Sequence, residues 1–422
     1  MVAIISRHVE RRVLEALGDT RIVVVQGARQ VGKTTLVRGL VERRDGVLVT
    51  LDDEATRELA QADPVGFIEQ NPHGLLAIDE VQRVPALVLA LKLVVDRDPR
   101  PGRFLLTGSA DLLRLPATED SLAGRAENIE LNGLSQGEIL GQRETFIDRL
   151  LSGEKFTGHT SLLRRHDYLE RAIAGSYPEA LARVPGRRRN QWLDNYVARI
   201  VERDAPDISN SQRLSDLPQV LRVLAARNGE ELNVADISKE TGVPATTLVR
   251  LIDLLETLYL AQRIPAWSTN LSARVVSRPK MALLDTGLAA RLINVSAAGA
   301  GPNANATVAG HLLEGFVAGE IRRQLGWADE QVRLYHYRDR VGAEVDLILE
   351  TPDGRVAGVE VKAKSAASAS DTRWLAQIRD KLGERFVGGI VLHTGSNAGS
   401  LGDRLAASPI DVLWAPGGNV DG

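Results

Sequence analysis

Hydrophobic positions follow two rhythms along this chain. From Arg21 to about Leu140, short apolar runs alternate with helical patterns: Ile22–Gln26, Val47–Asp52, Leu75–Asp79, Arg103–Thr107 and Glu127–Leu131. Four are aliphatic and only one alternates cleanly, which suits central strands of a parallel sheet covered by helices on both faces. Pro85 ahead of Ala86–Asp96 fits a first helical turn, where its missing N–H costs nothing. The pattern predicts a doubly wound α/β domain over residues 1–140.

From about Ser135 to Asn228 the pattern turns helical, with segments at Tyr168–Ala174, Gln191–Asp204 and Leu217–Ala226. This predicts a helical lid or linker over 141–230. Asn233–Thr257 shows two helices joined at Thr241–Pro244, followed by a strand at Tyr259–Pro265. Val295–Gly310 is rich in Ala, Gly and Asn and is expected to form a mobile loop. Beyond it a helix at Gly310–Leu325 precedes strands at Leu334–Arg338, Glu344–Glu350 and Val356–Lys362. A helix at Asp371–Leu382 and strands at Val387–His393 and Ile410–Trp414 complete a second α/β unit over 291–422. No internal repeat is visible.

Composition narrows the class. Hydrophobic residues make up 44% and charged residues 25%, the balance of a soluble globular protein. No apolar run approaches the roughly 20 residues needed to span a bilayer, and the amphipathic first helix is not a secretory signal. With no cysteine, disulfides, thiolate nucleophiles and Cys-based metal sites are excluded; a cytoplasmic address fits. A net charge of −3 is not that of a uniformly basic nucleic-acid binder. The clusters Arg187-Arg188-Arg189 and Arg164-Arg165 read as polar loops or as binding patches.

The chemistry concentrates first at Gly27-Ala28-Arg29-Gln30-Val31-Gly32-Lys33-Thr34, which matches G-x-x-x-x-G-K-[ST] between a strand and a helix. The glycines let the backbone wrap a phosphate with its N–H groups inward, and the next helix adds its positive end. Lys33 reaches the β and γ phosphates of ATP, and the Thr34 hydroxyl ligates Mg²⁺; Thr35 completes the binding segment. Leu75-Leu76-Ala77-Ile78-Asp79-Glu80 delivers Asp79 to the carboxyl edge of the sheet, where it would hold Mg²⁺ through water. Glu80 would orient and polarise the attacking water. Thr107 or Ser109, ending another strand on that edge, reads as a γ-phosphate sensor or as a polar turn. Arg125 reads as an arginine finger entering a neighbouring subunit's site or as a solvated surface residue.

With these residues in view, the chain resembles a family of bacterial and archaeal AAA+-type ATPases that carry a C-terminal domain of unknown function. The stretches that carry the resemblance are GARQVGKTT, LLAIDEVQ, LLTGSA, LAGRA, GSYPEAL, ERD, PKMALLDTGLA and VEVKAK. It implies a core sheet ordered 5-1-4-3-2, a helical lid and often ring-shaped homo-oligomers. A second sensor arginine of the lid is not identifiable.

Two further constellations follow. Asp236–Arg250 reads as a helix, a Gly-containing turn and a second helix, with Ile237, Val243, Leu248 and Leu251 packing between them. Thr246, Thr247 and Arg250 would then face outward on a winged-helix-like domain over 231–290, which contacts DNA or protein. Asp346, then Glu360 and Lys362 on one face of the next strand, is the arrangement of the restriction-endonuclease-like fold, with Glu314 a third acidic contributor. There two carboxylates hold Mg²⁺ and the lysine positions a water; a surface ion pair explains the same residues. The leading expectation is an ATP-hydrolysing protein acting on or with nucleic acid, with no membrane partner. The alternatives are an ATP-dependent switch with protein partners and an ATP-gated nuclease.

Overall fold

In the computed structural model, described at residues 4–109, 122–209, 213–296, 306–339 and 341–416, the five expected runs form the first sheet. They are β1 (Ile22–Gln26), β2 (Val47–Thr50), β3 (Leu76–Asp79), β4 (Phe104–Gly108) and β5 (Ala126–Glu130). Every pairing is parallel and the order is β2-β3-β4-β1-β5, the order that the resemblance implies. β1, β3 and β4 are buried at every position, which is why their sequences do not alternate. Ile22, Val24, Leu76, Ile78 and Leu106 share one core with Leu87, Leu91 and Val95 of the helix Ala86–Arg97. Each such side chain contributes about 1.5–3 kcal/mol by leaving water. Parallel strands put all their carboxyl ends on one edge, and there the loops after β1, β3 and β4 meet.

The chain divides into two compact units, Ser6–Leu134 with Thr257–Leu260, and Ser135–Glu256 with Ala261 onward. In the second unit the helices after Ser135 share a core with the carboxy-terminal sheet. Phe146, Leu150, Tyr168 and Leu169 pack in one cluster with Phe316, Leu347, Val359 and Ile390. The helices Val234–Thr241 and Ala245–Thr257 flank a turn at Gly242, whose φ of 70° suits glycine. Ile237, Val243, Leu248 and Leu251 are buried as expected, and Thr246 and Arg250 are exposed. β6 (Ala261–Ile264) pairs antiparallel with β7 (Lys280–Leu283).

The last sheet has six strands in the order β12-β13-β11-β10-β9-β8. They are β8 (Arg333–Arg338), β9 (Glu344–Glu350), β10 (Val356–Lys362), β11 (Phe386–His393), β12 (Gly399–Gly402) and β13 (Leu405–Pro409). The expected strand Ile410–Trp414 is instead a 3₁₀ turn at Ile410–Leu413, with Ile410, Val412, Leu413 and Trp414 all buried. A short continuous apolar run reads alike as a buried strand or a buried turn. The real strand beside β11, LAASP, carries small side chains and gave no such signal. The helix expected from Gly310 starts at Ala306. Residues 297–305 of the expected mobile loop lie outside the described residues.

Candidate functional site

The loop between β1 and the helix Lys33–Glu42 holds the G-x-x-x-x-G-K-T segment. Gly27 has φ 154°, and a Cβ there would lie 2.1 Å from the Leu131 carbonyl oxygen. Only glycine lets this turn pass so close to the end of β5. Gly32, with φ 102°, caps the helix from the left-handed region. Lys33 is buried, and its Nζ donates to the carbonyls of Gly27 and Ala28 at 2.8 and 2.9 Å. The ammonium is thus held inside the loop on neutral acceptors, close to where phosphate oxygens would compete for it. Val31 is buried, while Gln30 and Thr35 are exposed and Arg29 is half-buried.

The acidic side of the site is built by β3 and β4. Thr34 Oγ1 donates to Asp79 Oδ2 at 3.0 Å, and Thr107 Oγ1 donates to Asp79 Oδ1. Thr107 Oγ1 also accepts from the Glu80 backbone N–H at 3.1 Å. Burial pushes the Asp79 carboxyl above its ordinary range and Glu80 adds to that, while the hydrogen bonds from Thr107 and Thr34 pull it back. Thr34 and Asp79 present oxygens 3.0 Å apart beside the phosphate loop, a hard-donor pair that fits Mg²⁺ held by the hydroxyl and by the carboxylate. Glu80 takes a left-handed φ of 59°, a conformation uncommon for non-glycine residues. Its Oε2 accepts from Ser109 Oγ at 3.0 Å and from Gln82 Nε2, and Gln82 also donates to Ser109 at 3.1 Å. Of the two sensor candidates, Thr107 touches Asp79 and Ser109 touches Glu80.

Sequence reasoning missed two residues here. Arg7 is buried; its guanidinium donates to the Val31 carbonyl at 2.7 Å and to the Asn132 carbonyl at 2.6 Å, clasping the phosphate loop from behind. Nothing in the amphipathic start of the chain marks it. Gln82 lies just past the acidic pair, and the LLAIDEVQ stretch contains it without giving it a role. Arg125 stands apart from this cluster. It precedes β5, whose Ala126 pairs with Ile22 at the amino edge of the sheet, about 13 Å of strand from the phosphate loop. There it grips Asp96 through both carboxylate oxygens at 2.7 and 2.8 Å.

The carboxy-terminal candidates are brought together. Asp346 and Glu360 sit side by side on the antiparallel pair β9–β10, just beyond the Leu347–Val359 register pair. Lys362 Nζ donates to Glu360, and Glu314 approaches from the helix Ala306–Leu325. They line a polar cavity of about 650 Å³ together with Lys280, Glu344, Arg278 and Arg338. Lys280, which the sequence reading passed over, is 3% exposed and pairs with Glu314 at 2.7 Å, Glu344 at 3.0 Å and Asp346 at 3.6 Å. Among the described residues, no group of three or more His, Asp or Glu side chains is arranged to hold a metal ion.

The comparisons with known proteins divide the chain into three matched segments. Residues 19–140 match a family model described as an AAA domain. Residues 165–299 and 309–413 match two models described as domains of unknown function, DUF8612 and DUF4143. The AAA match falls on the segment that carries the parallel sheet and the phosphate loop. The uncharacterized proteins Mb2031c of Mycobacterium bovis and Rv2008c of Mycobacterium tuberculosis are each 28% identical over 415 residues, 97% of this chain and 85% of theirs. Among solved structures, the Walker-type ATPase paby2304 of Pyrococcus abyssi covers 68% of this chain and 96% of its own, with TM-score 0.40 and 15% identity. The AMPPCP-bound DnaA from Aquifex aeolicus covers 59% and 86%, with TM-score 0.29 and 18% identity. No helix among the described residues is long and apolar enough to cross a membrane.

Proposed function

We propose that this protein is a Mg²⁺-dependent ATPase that uses hydrolysis at the Gly27–Thr35 loop to drive a conformational change, acting on or with nucleic acid. The observation that carries the reading is the network that joins Thr34, Asp79, Thr107, Glu80 and Ser109 at one sheet edge by direct hydrogen bonds, with Lys33 on the Gly27 and Ala28 carbonyls of the loop. Lys33 exchanges its carbonyl partners for the β and γ phosphates, and the loop's N–H groups and helix end hold the same anion. Thr34 and Asp79 would hold Mg²⁺, which neutralises charge that develops on the phosphates. Glu80 orients a water for attack on the γ-phosphorus once it leaves Ser109 and Gln82. That pair therefore acts as a resting latch on the base, and Ser109 is free to follow the γ-phosphate.

The output reading rests on the two-helix unit, where Thr246 and Arg250 are exposed on the second helix. A specific observation favours the second reading, a switch that engages protein. Arg263 is tied to Glu256 and Asp253, and Arg274 to Glu350, so two arginines near that unit have their charge matched internally. Steady-state ATP hydrolysis by the full chain, with Mg²⁺ or EDTA and with or without single- and double-stranded DNA, tests both. Turnover that needs Mg²⁺ and rises with DNA supports the leading reading. Mg²⁺-dependent turnover indifferent to DNA moves the output to a protein partner, and no turnover in any condition sinks the ATPase proposal. Arg125 is proposed as a finger only between subunits, since it lies at the far edge of its own sheet. Mixing Arg125→Ala with Glu80→Gln protein should then restore part of the turnover, and a confirmed oligomer that shows no recovery removes that role.

A further inference from the structure

We infer that the nuclease-like cluster of Glu314, Asp346, Glu360 and Lys362 is not a divalent-cation site, because the side chain of Lys280 stands in the cation's position. The spacing of Asp346, Glu360 and Lys362 predicts a Mg²⁺ pair with a helper lysine, and the strands do place these residues together. Lys280 does not come from that sheet. It opens β7, the second strand of the small antiparallel pair, and also bridges to Glu231. From there its ammonium reaches three carboxylates, at 2.7 Å from Glu314, 3.0 Å from Glu344 and 3.6 Å from Asp346.

The oxygens that a metal would need are already engaged. Asp346 Oδ1 faces Lys280, and its Oδ2 accepts from the Val361 backbone N–H at 2.8 Å. Glu360 Oε1 accepts from Lys362, and its Oε2 accepts from the Asp346 N–H at 3.3 Å. A divalent ion entering between these carboxylates would sit against a fixed ammonium, and like charges at that range repel. Burial works against charge on Lys280, but Glu314, Asp346 and Glu344 outweigh it and keep the lysine protonated. Such a network is costly to assemble and costlier to break, since removing one partner leaves buried charge uncompensated. Its effect is to pin β7, and with it the two-helix unit, onto the carboxy-terminal sheet. The constellation is thus a fastener built from the residues of a nuclease-like site.

Mn²⁺ titration of the full chain, followed by electron paramagnetic resonance, tests this without relying on any activity. The wild type and Asp346→Asn should take up the same Mn²⁺, because Asp346 contributes to no ion site. Lys280→Met should gain one equivalent, and the double variant Lys280→Met/Asp346→Asn should lose it again. An equivalent bound by the wild type and lost in Asp346→Asn would overturn the inference, as would a folded Lys280→Met protein that gains none. If Lys280→Met fails to fold, the wild type against Asp346→Asn still decides. The inference does not rest on the ATPase reading: failed ATP turnover would leave the Mn²⁺ result intact, and the reverse holds too.

Discussion

Two places in this molecule bring a buried lysine next to carboxylates, and they differ in what the lysine holds. At the phosphate loop Lys33 donates to two backbone carbonyls, and Asp79 accepts from two threonine hydroxyls. These are partners that a phosphate and a cation can displace, because a charged ligand offers a stronger bond than a neutral one. In the carboxy-terminal cavity Lys280 faces three acidic side chains directly, with Arg338 beside Glu344 and Lys362 beside Glu360. Similar residue types therefore make a receptive site in one unit and a sealed one in the other. Charge on the lysine's partners, rather than the motif, sets the difference.

The largest expected effect is on turnover at the receptive site. Glu80→Gln should keep ATP binding and lower turnover by about 10²–10⁴, the usual contribution of a positioned base. Single-turnover hydrolysis beside equilibrium nucleotide binding reads this directly. Unchanged turnover would show that the latch made by Ser109 and Gln82 holds a bystander.

The sealed site should answer in stability instead. Lys280→Ala leaves Glu314 and Asp346 without their cation and is expected to cost roughly 3–5 kcal/mol, as breaking a buried ion pair does. Urea unfolding monitored by tryptophan fluorescence would show it, since all five tryptophans lie in the unit that holds Lys280. A loss below about 1 kcal/mol, the range of exposed pairs, would contradict the account.

Acid sensitivity sharpens the same contrast. His336 is buried on β8 in the second unit, with its Nε2 on the Arg278 carbonyl at 3.0 Å. Its pKa is lowered from 6.5 to about 4, chiefly by burial and then by Lys280 and Arg338, with the Arg278 carbonyl and Glu344 opposing them. The unfolded chain then binds the extra proton first, so this contribution is complete above pH 6.5 and is lost as pH falls toward 4. His336→Gln should flatten that part of the stability profile; an unchanged slope would place the acid sensitivity elsewhere. The smallest effect is expected at Arg125, whose pair with Asp96 is exposed. Arg125→Ala should barely shift the melting temperature, and a large shift would show that the ion pair matters more than its exposure allows.

Much of this was legible in the chain because the central strands β1, β3 and β4 of the first sheet are buried on both faces. Continuous aliphatic runs reveal such strands, and the phosphate loop with its acidic partner names its own chemistry. The strands β9 and β10 were equally clear from their alternation. Small-residue strands such as β13 leave no hydrophobic signature, and Ile410–Trp414 drew the strand assignment instead. Arg7, Gln82 and Lys280 were illegible for another reason. Each acts on residues brought near by the fold rather than by a motif, and a lone Arg, Gln or Lys carries no spacing to read. Lys280 was visible within PKMALLDTGLA, yet only the assembled cavity shows which carboxylates it meets.

The most direct test of the central claim is Mg²⁺-ATP turnover by the wild type beside Lys33→Ala. The account predicts measurable hydrolysis by the wild type and a loss of at least about 10²-fold in the variant, because the phosphates lose their one fixed ammonium in the loop. Equal turnover by both proteins would contradict it and place any ATPase activity outside the Gly27–Thr35 loop.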